Sequence, residues 1–239
     1  MASYLATGES QASRVAISQN IGNAVSQAVS SYSSLAGWGA MLYPRGTQII
    51  VNVPQSATLF YQYVVNTITG AWCRYIGMNA VSWAILDAAP YFGSTDGKVY
   101  LADYGYSDAG SDIVGEMRTA YEYIGGRGLQ KRFTMARPVM QTTYPLSFSM
   151  DTETDFQTSS TLPTVSSNIT GGTTGALWGT AVWGTDIWGG STGPGAIQAN
   201  WVSVSGLGYS ASIHMKIATQ TIGVNIMAFD LTYERGLFI

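Results

Sequence analysis

The sequence has little charge, one cysteine and one histidine. Its 239 residues include 11 Lys and Arg and 14 Asp and Glu, which gives a net charge of −3. This balance provides no general affinity for a phosphate backbone, because nucleic-acid-binding surfaces are usually basic. Cys73 and His214, far apart in the chain, do not make a zinc signature. We predict neither a basic nucleic-acid reader nor a zinc protein, and no cofactor.

Long apolar runs and a disulfide pair are also missing. No apolar stretch approaches the roughly 20 residues that cross a bilayer, and the start, MASYLATGESQASR, lacks the basic-then-apolar order of a signal peptide. Cys73 lies in the apolar run AWCRYI, where a buried, inert thiol is expected. We therefore predict synthesis in a reducing compartment, with neither secretion nor membrane insertion.

Aromatic residues and glycine are abundant. The chain has 15 Tyr, 7 Trp and 28 Gly, and 46% of its residues are hydrophobic. Aromatic side chains favour strands and are also enriched at protein interfaces. With so little charge to cover a free surface, the composition predicts a β-rich subunit of an oligomer.

Residues 1–40 are predicted to form a helix and a linker. Between Glu9 and about Tyr32, apolar residues recur at spacings of two to four, which fits an amphipathic helix. Gly22 and several β-branched residues weaken this helix, so it needs a partner surface.

Residues 41–144 show the pattern of strands and tight turns. The runs LFYQYVVN and AWCRYI flank TITG, and YFG and KVYLA flank STDG, so both are predicted hairpins. Gly97 supplies the turn in STDG, and we assign Gly97, Trp72 and Trp83 to the structural core. The pattern resembles a kelch-like propeller blade, with the Trp packed under the blade.

Residues 145–239 are predicted to form a loop-rich segment followed by a C-terminal β hairpin that turns near Thr221 to Gly223. Within the loop, Trp-Gly repeats every five residues, at Trp178, Trp183 and Trp188. A period of five lines up side chains in neither a strand nor a helix. These Trp residues either anchor a loop to the body or form an aromatic patch that contacts a partner subunit or a cell-surface ligand.

The predicted fold class is mainly β, with antiparallel sheets arranged as a partial propeller or an open sandwich, and a short N-terminal amphipathic helix. Residues 41–144 supply about two blades, whereas a propeller usually needs at least four to close. The exposed strand edges would then need cover from a neighbour, because open edges promote aggregation.

No catalytic constellation is evident, so the chain is not predicted to be an enzyme. His214 alternates with apolar residues in ASIHMKIA and is interpreted as a strand histidine. Asp151, Glu153 and Asp155 alternate in DTETD but lack the glycine and distal glutamate of a helix-loop-helix calcium site. A solvated acidic turn is the expected structure there.

A basic cluster is the main charged feature. Five of the cationic side chains fall within 20 positions: Arg118, Arg127, Lys131, Arg132 and Arg137. One interpretation is a solvated face, or pairing with Glu116 and Glu122. The other assigns Arg127, Lys131 and Arg132 to an intersubunit salt-bridge belt or a positive ring on a channel wall.

Five segments in order resemble the C-terminal half of the tail nozzle, or hub, proteins of short-tailed bacteriophages: YPRGTQIIVNVP, QYVVNTITGAWCRY, YFGSTDGKVYLAD, GRGLQKRFTMARP and WVSVSGLG. The resemblance covers residues 40–239, and those proteins are about twice as long as this chain. It implies a structural virion protein that is assembled in the host cytoplasm as a homo-oligomeric ring, usually of six copies. It also implies contacts with the portal, the adaptor and other tail proteins, and passage of double-stranded DNA without specific binding.

The alternative function is a carbohydrate-binding or glycan-hydrolysing β module. There, exposed Trp would stack on sugars and a pair of carboxylates would cleave them. The absence of a signal peptide and of an obvious acid/base pair favours the structural function.

Overall fold

The computed structural model describes residues 17–142, 146–159, 161–166, 196–198, 201–220 and 222–236. In these ranges the chain is mainly antiparallel β-structure in open sheets, with one short α-helix near its start, so the predicted fold class is confirmed. Contacts divide the chain into two compact units, Met1–Tyr104 and Gly105–Ile239. This division lies about 40 residues before the expected boundary near 144, because residues 113–142 pair with C-terminal strands.

In its described residues, 17–104, the first unit contains a short helical segment and seven strands. Its elements are a 3-10 helix (Ile17–Ile21), α1 (Gly22–Tyr32), β1 (Gly39–Tyr43), β2 (Gln48–Pro54), β3 (Phe60–Asn66), β4 (Trp72–Ile76), β5 (Ala80–Leu86), β6 (Ala89–Ser94) and β7 (Val99–Leu101). The strands form two antiparallel sheets, in the orders β1-β2-β3-β4 and β5-β6-β7.

Helix α1 packs on one face of the four-stranded sheet. Ala28 is buried against Val53 and Tyr61, with Tyr63 and Trp38 at the margin of this cluster. The helix has no side-chain N-cap and no acidic residue in its first turn. Its stability therefore comes mainly from this packing, as expected for a short, Ser-rich helix.

Both predicted hairpins of the first unit are confirmed. β3 pairs with β4, placing Val64 opposite Cys73, and β6 pairs with β7, placing Phe92 opposite Tyr100. Gly97 lies in the second turn at φ +80°, a conformation that glycine adopts without steric cost. It is a solvent-exposed turn residue, so its assignment to the core is wrong.

The prediction that Trp72, Trp83 and Cys73 are buried is wrong. Both Trp are half-buried; their indole N–H groups donate to Ile17 O and to Asn52 Oδ1. Cys73 is exposed. All three side chains are exposed in part or in full because β4 and β5 lie at sheet edges and only partly face a packed layer.

The second unit contains eight described strands. They are β8 (Ile113–Arg118), β9 (Lys131–Thr142), β10 (Ser147–Thr154), β11 (Thr164–Ser166), β12 (Ala196–Gln198), β13 (Val202–Gly208), β14 (Ala211–Thr219) and β15 (Val224–Arg235). One sheet has the order β11-β10-β14-β8. In the other, β9 pairs with β15 and with both β12 and β13.

One apolar core is shared by these two sheets, as in an open sandwich. Met140 from β9, Phe148 and Met150 from β10, Val204 from β13 and Met215 from β14 all belong to it. Burying each large apolar side chain stabilises the fold by about 1.5–3 kcal/mol before entropy is subtracted. The core therefore ties together strands that are far apart in sequence.

The predicted C-terminal hairpin is wrong. β14 pairs with β8 and β10, whereas β15 pairs with β9 in the other sheet. The residues between them carry the chain from one sheet of the sandwich to the other. Local turn residues near Gly223 favoured a hairpin, but burial of apolar side chains from both strands in one core decides the topology.

In the described part of the chain, no helix has the length and apolar character needed to cross a membrane.

Candidate functional site

Among the described residues of the second unit, three ionisable side chains are buried. Lys131 is 0% exposed, Glu153 is 3% exposed and His214 is 4% exposed. A buried charge is costly unless it is paired and fully hydrogen-bonded. Such residues are therefore the first place to look for a site, and their partners show what the site can do.

Glu153 forms a two-point ion pair with Arg118 across the sheet. Arg118 Nε lies 2.7 Å from Glu153 Oε2, and Nη2 donates to Oε1 at 3.0 Å. Glu153 is on β10 and Arg118 ends β8, with β14 between them. The pair therefore spans three strands and joins the edge of the sheet to its interior.

His214, on the central strand β14, lies between two carboxylates. Its Nδ1 is 3.0 Å from Glu153 Oε1, and its Nε2 is 2.8 Å from Glu116 Oε1. Nδ1 also lies 3.3 Å from Arg118 Nη2. The interpretation of His214 as a strand histidine is confirmed, and its two acceptors are now identified.

Two further donors complete the surroundings of Glu153. The Ser159 amide donates to Oε1 at 3.0 Å, and the Tyr121 hydroxyl donates to Oε2 at 3.2 Å. Burial alone would raise the pKa of Glu153, but the Ser159 amide and the Arg118 charge outweigh it, so the pKa is lowered. The pKa of Glu116 is also lowered, chiefly by its hydrogen bond with His214.

This arrangement is suited to holding strands together. Both ring nitrogens of His214 face carboxylates, so in the described part of the chain neither faces a hydroxyl or thiol that it could activate. The described residues also contain no group of three or more His, Cys, Asp or Glu that could hold a metal ion. The charge network of Arg118, Glu153, His214 and Glu116 therefore has the geometry of a structural clamp.

The clamp should make the second unit sensitive to acid. The pKa of Glu153 is lowered from 4.5, so the unfolded chain binds this proton more readily than the folded one. The stabilisation is therefore present above about pH 4.5 and is lost as the pH falls through the folded-state pKa. The difference in free energy of unfolding between the wild type and Glu153→Gln should shrink as the pH is lowered. Urea titrations from about pH 7 to about pH 3 measure it, and a constant difference would contradict the lowered pKa.

Lys131 forms a second buried arrangement. Its Nζ donates to three carbonyl oxygens, those of Gly126 at 2.7 Å, Leu129 at 2.8 Å and Tyr209 at 2.9 Å. All three donors of the ammonium are used, so the charge is satisfied by backbone dipoles alone. The assignment of Lys131 to a channel wall or an intersubunit belt is wrong, because the side chain has no exposed surface.

The other predicted site residues are not brought together with it. Arg132 follows Lys131 on β9 and points to the exposed face, and Arg127 is exposed with its guanidinium 5.0 Å from the ring centre of Tyr123. These two cations remain accessible. Trp178, Trp183 and Trp188 lie outside the described residues.

The acidic turn predicted at residues 151–155 is also corrected. Glu153 is buried in the clamp, and Asp155 Oδ1 accepts hydrogen bonds from the amides of Tyr209 and Ser210. Sequence reasoning missed the pairing of Glu153 with Arg118 because the two residues are 35 positions apart. The available signal was His214 itself, since a histidine among apolar strand residues needs buried partners.

No protein-family model matches the chain, and no curated protein is significantly similar to it.

Proposed function

We propose that this chain is a structural component of a bacteriophage tail. Several copies would form a ring-shaped nozzle that conducts double-stranded DNA during ejection. The family assignment rests on the five ordered segments that resemble nozzle proteins. The observation that carries the structural role is the exposure of large apolar side chains along the edge strands. These side chains fit a subunit whose edges are covered by neighbours.

The exposed apolar residues concentrate on strands with one unpaired side. Ile76 on β4 is 70% exposed and Val99 on β7 is 73% exposed, and β5 and β8 also present large apolar side chains to solvent. Single exposed apolar residues are ordinary, but apolar edge strands are normally blunted by charge or covered. Cover by other subunits is the arrangement that suits them.

Four carboxylates of the described residues support a structural role over glycan hydrolysis. Glu153 and Glu116 are engaged in the clamp, Asp155 caps two backbone amides, and Asp230 pairs with Arg137 at 2.6 Å. A glycosidase needs two carboxylates facing one open cleft at a fixed separation. These carboxylates instead stabilise the fold.

The charge distribution suits a conduit that does not grip DNA. Each phosphate neutralised by a cation adds salt-dependent affinity, so a continuous basic wall would hold the polymer. The net charge is −3, and Lys131 is buried, which leaves Arg127 and Arg132 as at most one discrete positive band. A passing duplex would meet little sustained attraction.

Particle size tests this proposal. The purified chain should sediment as an oligomer at micromolar concentration, and negative-stain images should show rings, with six copies expected from the resemblance. The same particles should bind duplex DNA only weakly at physiological salt. A stable monomer that binds glycans would support the carbohydrate-binding module instead, and submicromolar sequence-specific DNA binding would contradict the conduit.

A further inference from the structure

Within the described residues, strand β8 pairs on one side only, with β14. Thr119 N donates to Ile213 O at 3.0 Å, and the register continues through Met117 opposite Met215. Because bonded and non-bonded pairs alternate in an antiparallel ladder, the main-chain groups of Val114, Glu116 and Arg118 point away from β14. They form a row of donors and acceptors at the open side of the sheet.

An apolar groove lies beside this edge. It has a volume of about 430 Å³ and is lined mainly by apolar side chains, among them Ile113, Met117, Ile217 and Ile226. Gly115 lies on the same wall, and a Cβ added there would meet nothing within 4 Å. The edge and the groove together have the two parts that recognition by strand addition uses, main-chain hydrogen bonds and a pocket for alternate side chains.

Strand β4 of the first unit also pairs on one side only, with β3, in the part of the chain that the structure describes. Asn66 N donates to Ala71 O at 2.9 Å, so the main-chain groups of Trp72, Arg74 and Ile76 point away from β3. Arg74 makes no ion pair within the described residues, and its guanidinium lies 6.0 Å from the ring centre of Tyr61. β4 is thus an apolar edge with one unpaired cation.

We propose that β4 of one copy of this chain adds in antiparallel orientation to β8 of a second copy. The register that matches the outward main-chain groups also aligns the charges. It places Trp72 opposite Arg118, Cys73 opposite Met117, Arg74 opposite Glu116, Tyr75 opposite Gly115 and Ile76 opposite Val114.

Charge complementarity selects this partner. Glu116 uses Oε1 for His214, and its side chain is 54% exposed, so Oε2 can accept from Arg74 of the neighbour. The Arg118 side chain is 38% exposed. In this register it would meet the indole of the neighbour's Trp72 in a cation–π contact.

The groove can hold the side chain of Tyr75 from the neighbouring copy. Opposite residues of an antiparallel pair project to the same face, so Tyr75 of the neighbour lies over Gly115 and enters the groove. Tyr75 is exposed in the single chain. An aromatic ring over a strand glycine fills the space that the missing Cβ leaves.

The interface is head-to-tail, because it joins different surfaces of two identical chains. Such contacts generate rings when the rotation closes. The inference therefore rests on the proposed ring assembly and names the strands that would build it.

The single native cysteine provides a direct test. In the proposed register Cys73 and Met117 form a non-bonded pair, whose Cα atoms lie about 4.5 Å apart, within the range that a disulfide spans. Met117→Cys oxidised with diamide, which accepts the two protons and two electrons, should give a ladder of dimers and larger multimers on a non-reducing gel. Mass spectrometry should identify a disulfide that joins a peptide containing Cys73 to a peptide containing the substituted position 117.

Met135→Cys is the matched control, because Met135 is 39% exposed and Met117 is 36% exposed, but Met135 lies on the doubly paired strand β9. It should give no ladder. A folded Met117→Cys protein without cross-links, a disulfide within one chain, or links only between identical cysteines would each overturn the β4–β8 pairing.

A second variant tests the ion pair without a new cysteine. Arg74→Glu should lower the oligomeric fraction in sedimentation at least several-fold, whereas Arg45→Glu, the same charge change at another exposed arginine, should leave it unchanged. Equal behaviour of the two variants would overturn the pairing. Rings that persist while the Met117→Cys protein forms no link to Cys73 would reject this interface and leave the proposed ring function standing, whereas a wild-type monomer would reject the ring itself.

Discussion

Replacing Lys131 with methionine should lower the free energy of unfolding of the second unit by about 3–5 kcal/mol. Methionine keeps much of the length of the side chain but donates no hydrogen bond. The carbonyl oxygens of Gly126, Leu129 and Tyr209 then all lose their charged hydrogen-bond donor. A carbonyl oxygen that is buried cannot accept a hydrogen bond from water instead. The 125–130 segment and the turn before Ser210 should loosen with it.

Urea unfolding combined with hydrogen exchange measures this effect, since exchange locates the loss in peptides around residues 124–131. The neighbouring variant Arg132→Met is the control, because Arg132 is exposed and its loss should change stability by less than about 0.5 kcal/mol. If the two variants were equally stable, Lys131 would not be holding the loop. A Lys131→Glu change should prevent folding, because it buries a carboxylate among three carbonyls.

Local features of the fold could be predicted from the sequence. The turns TITG and STDG join strands that pair directly, so a few adjacent residues contain the information that forms each hairpin. The pairing of β8 with β14 and of β9 with β15 could not be predicted in this way. In those ladders Glu116 lies opposite Lys216 and Arg137 opposite Asp230, about 100 residues apart, and any of several strands could have been the partner.

The candidate site was only partly accessible to sequence reasoning, for the same physical reason. Lys131 and Arg132 alternate faces on one strand, so one must point inward, but the sequence does not show which. A one-residue change of register would exchange them. Glu153 likewise sits in an acidic, threonine-rich run that is typical of a solvated turn, and only the arrival of Arg118 and His214 from other strands makes its burial favourable.

Replacing Arg118 with methionine should destabilise the second unit by about 3–5 kcal/mol, because the buried carboxylate of Glu153 loses its cationic partner. The two partners are not equivalent, because the side chain of Glu153 is 1% exposed and that of Arg118 is 38% exposed. Without Arg118, the buried carboxylate of Glu153 keeps as hydrogen-bond partners only His214, Tyr121 and the Ser159 amide among the described residues. Without Glu153, the guanidinium can still turn toward water. Arg118→Met should therefore cost more than Glu153→Gln.

A double-mutant cycle separates the ion pair from packing. The double variant Arg118→Met with Glu153→Gln should be more stable than the sum of the two single losses predicts. The coupling energy should be about 1–3 kcal/mol, because Glu153→Gln removes the buried carboxylate that Arg118→Met leaves without its cation. Arg127→Met is the control, since Arg127 contacts only the exposed ring of Tyr123 in the described structure and should not couple to Glu153. Urea unfolding at neutral pH measures the wild type, the three single variants and the two double variants, Arg118→Met and Arg127→Met each combined with Glu153→Gln. Strictly additive losses, or a larger loss from Glu153→Gln than from Arg118→Met, would show that the clamp is not held by this pair.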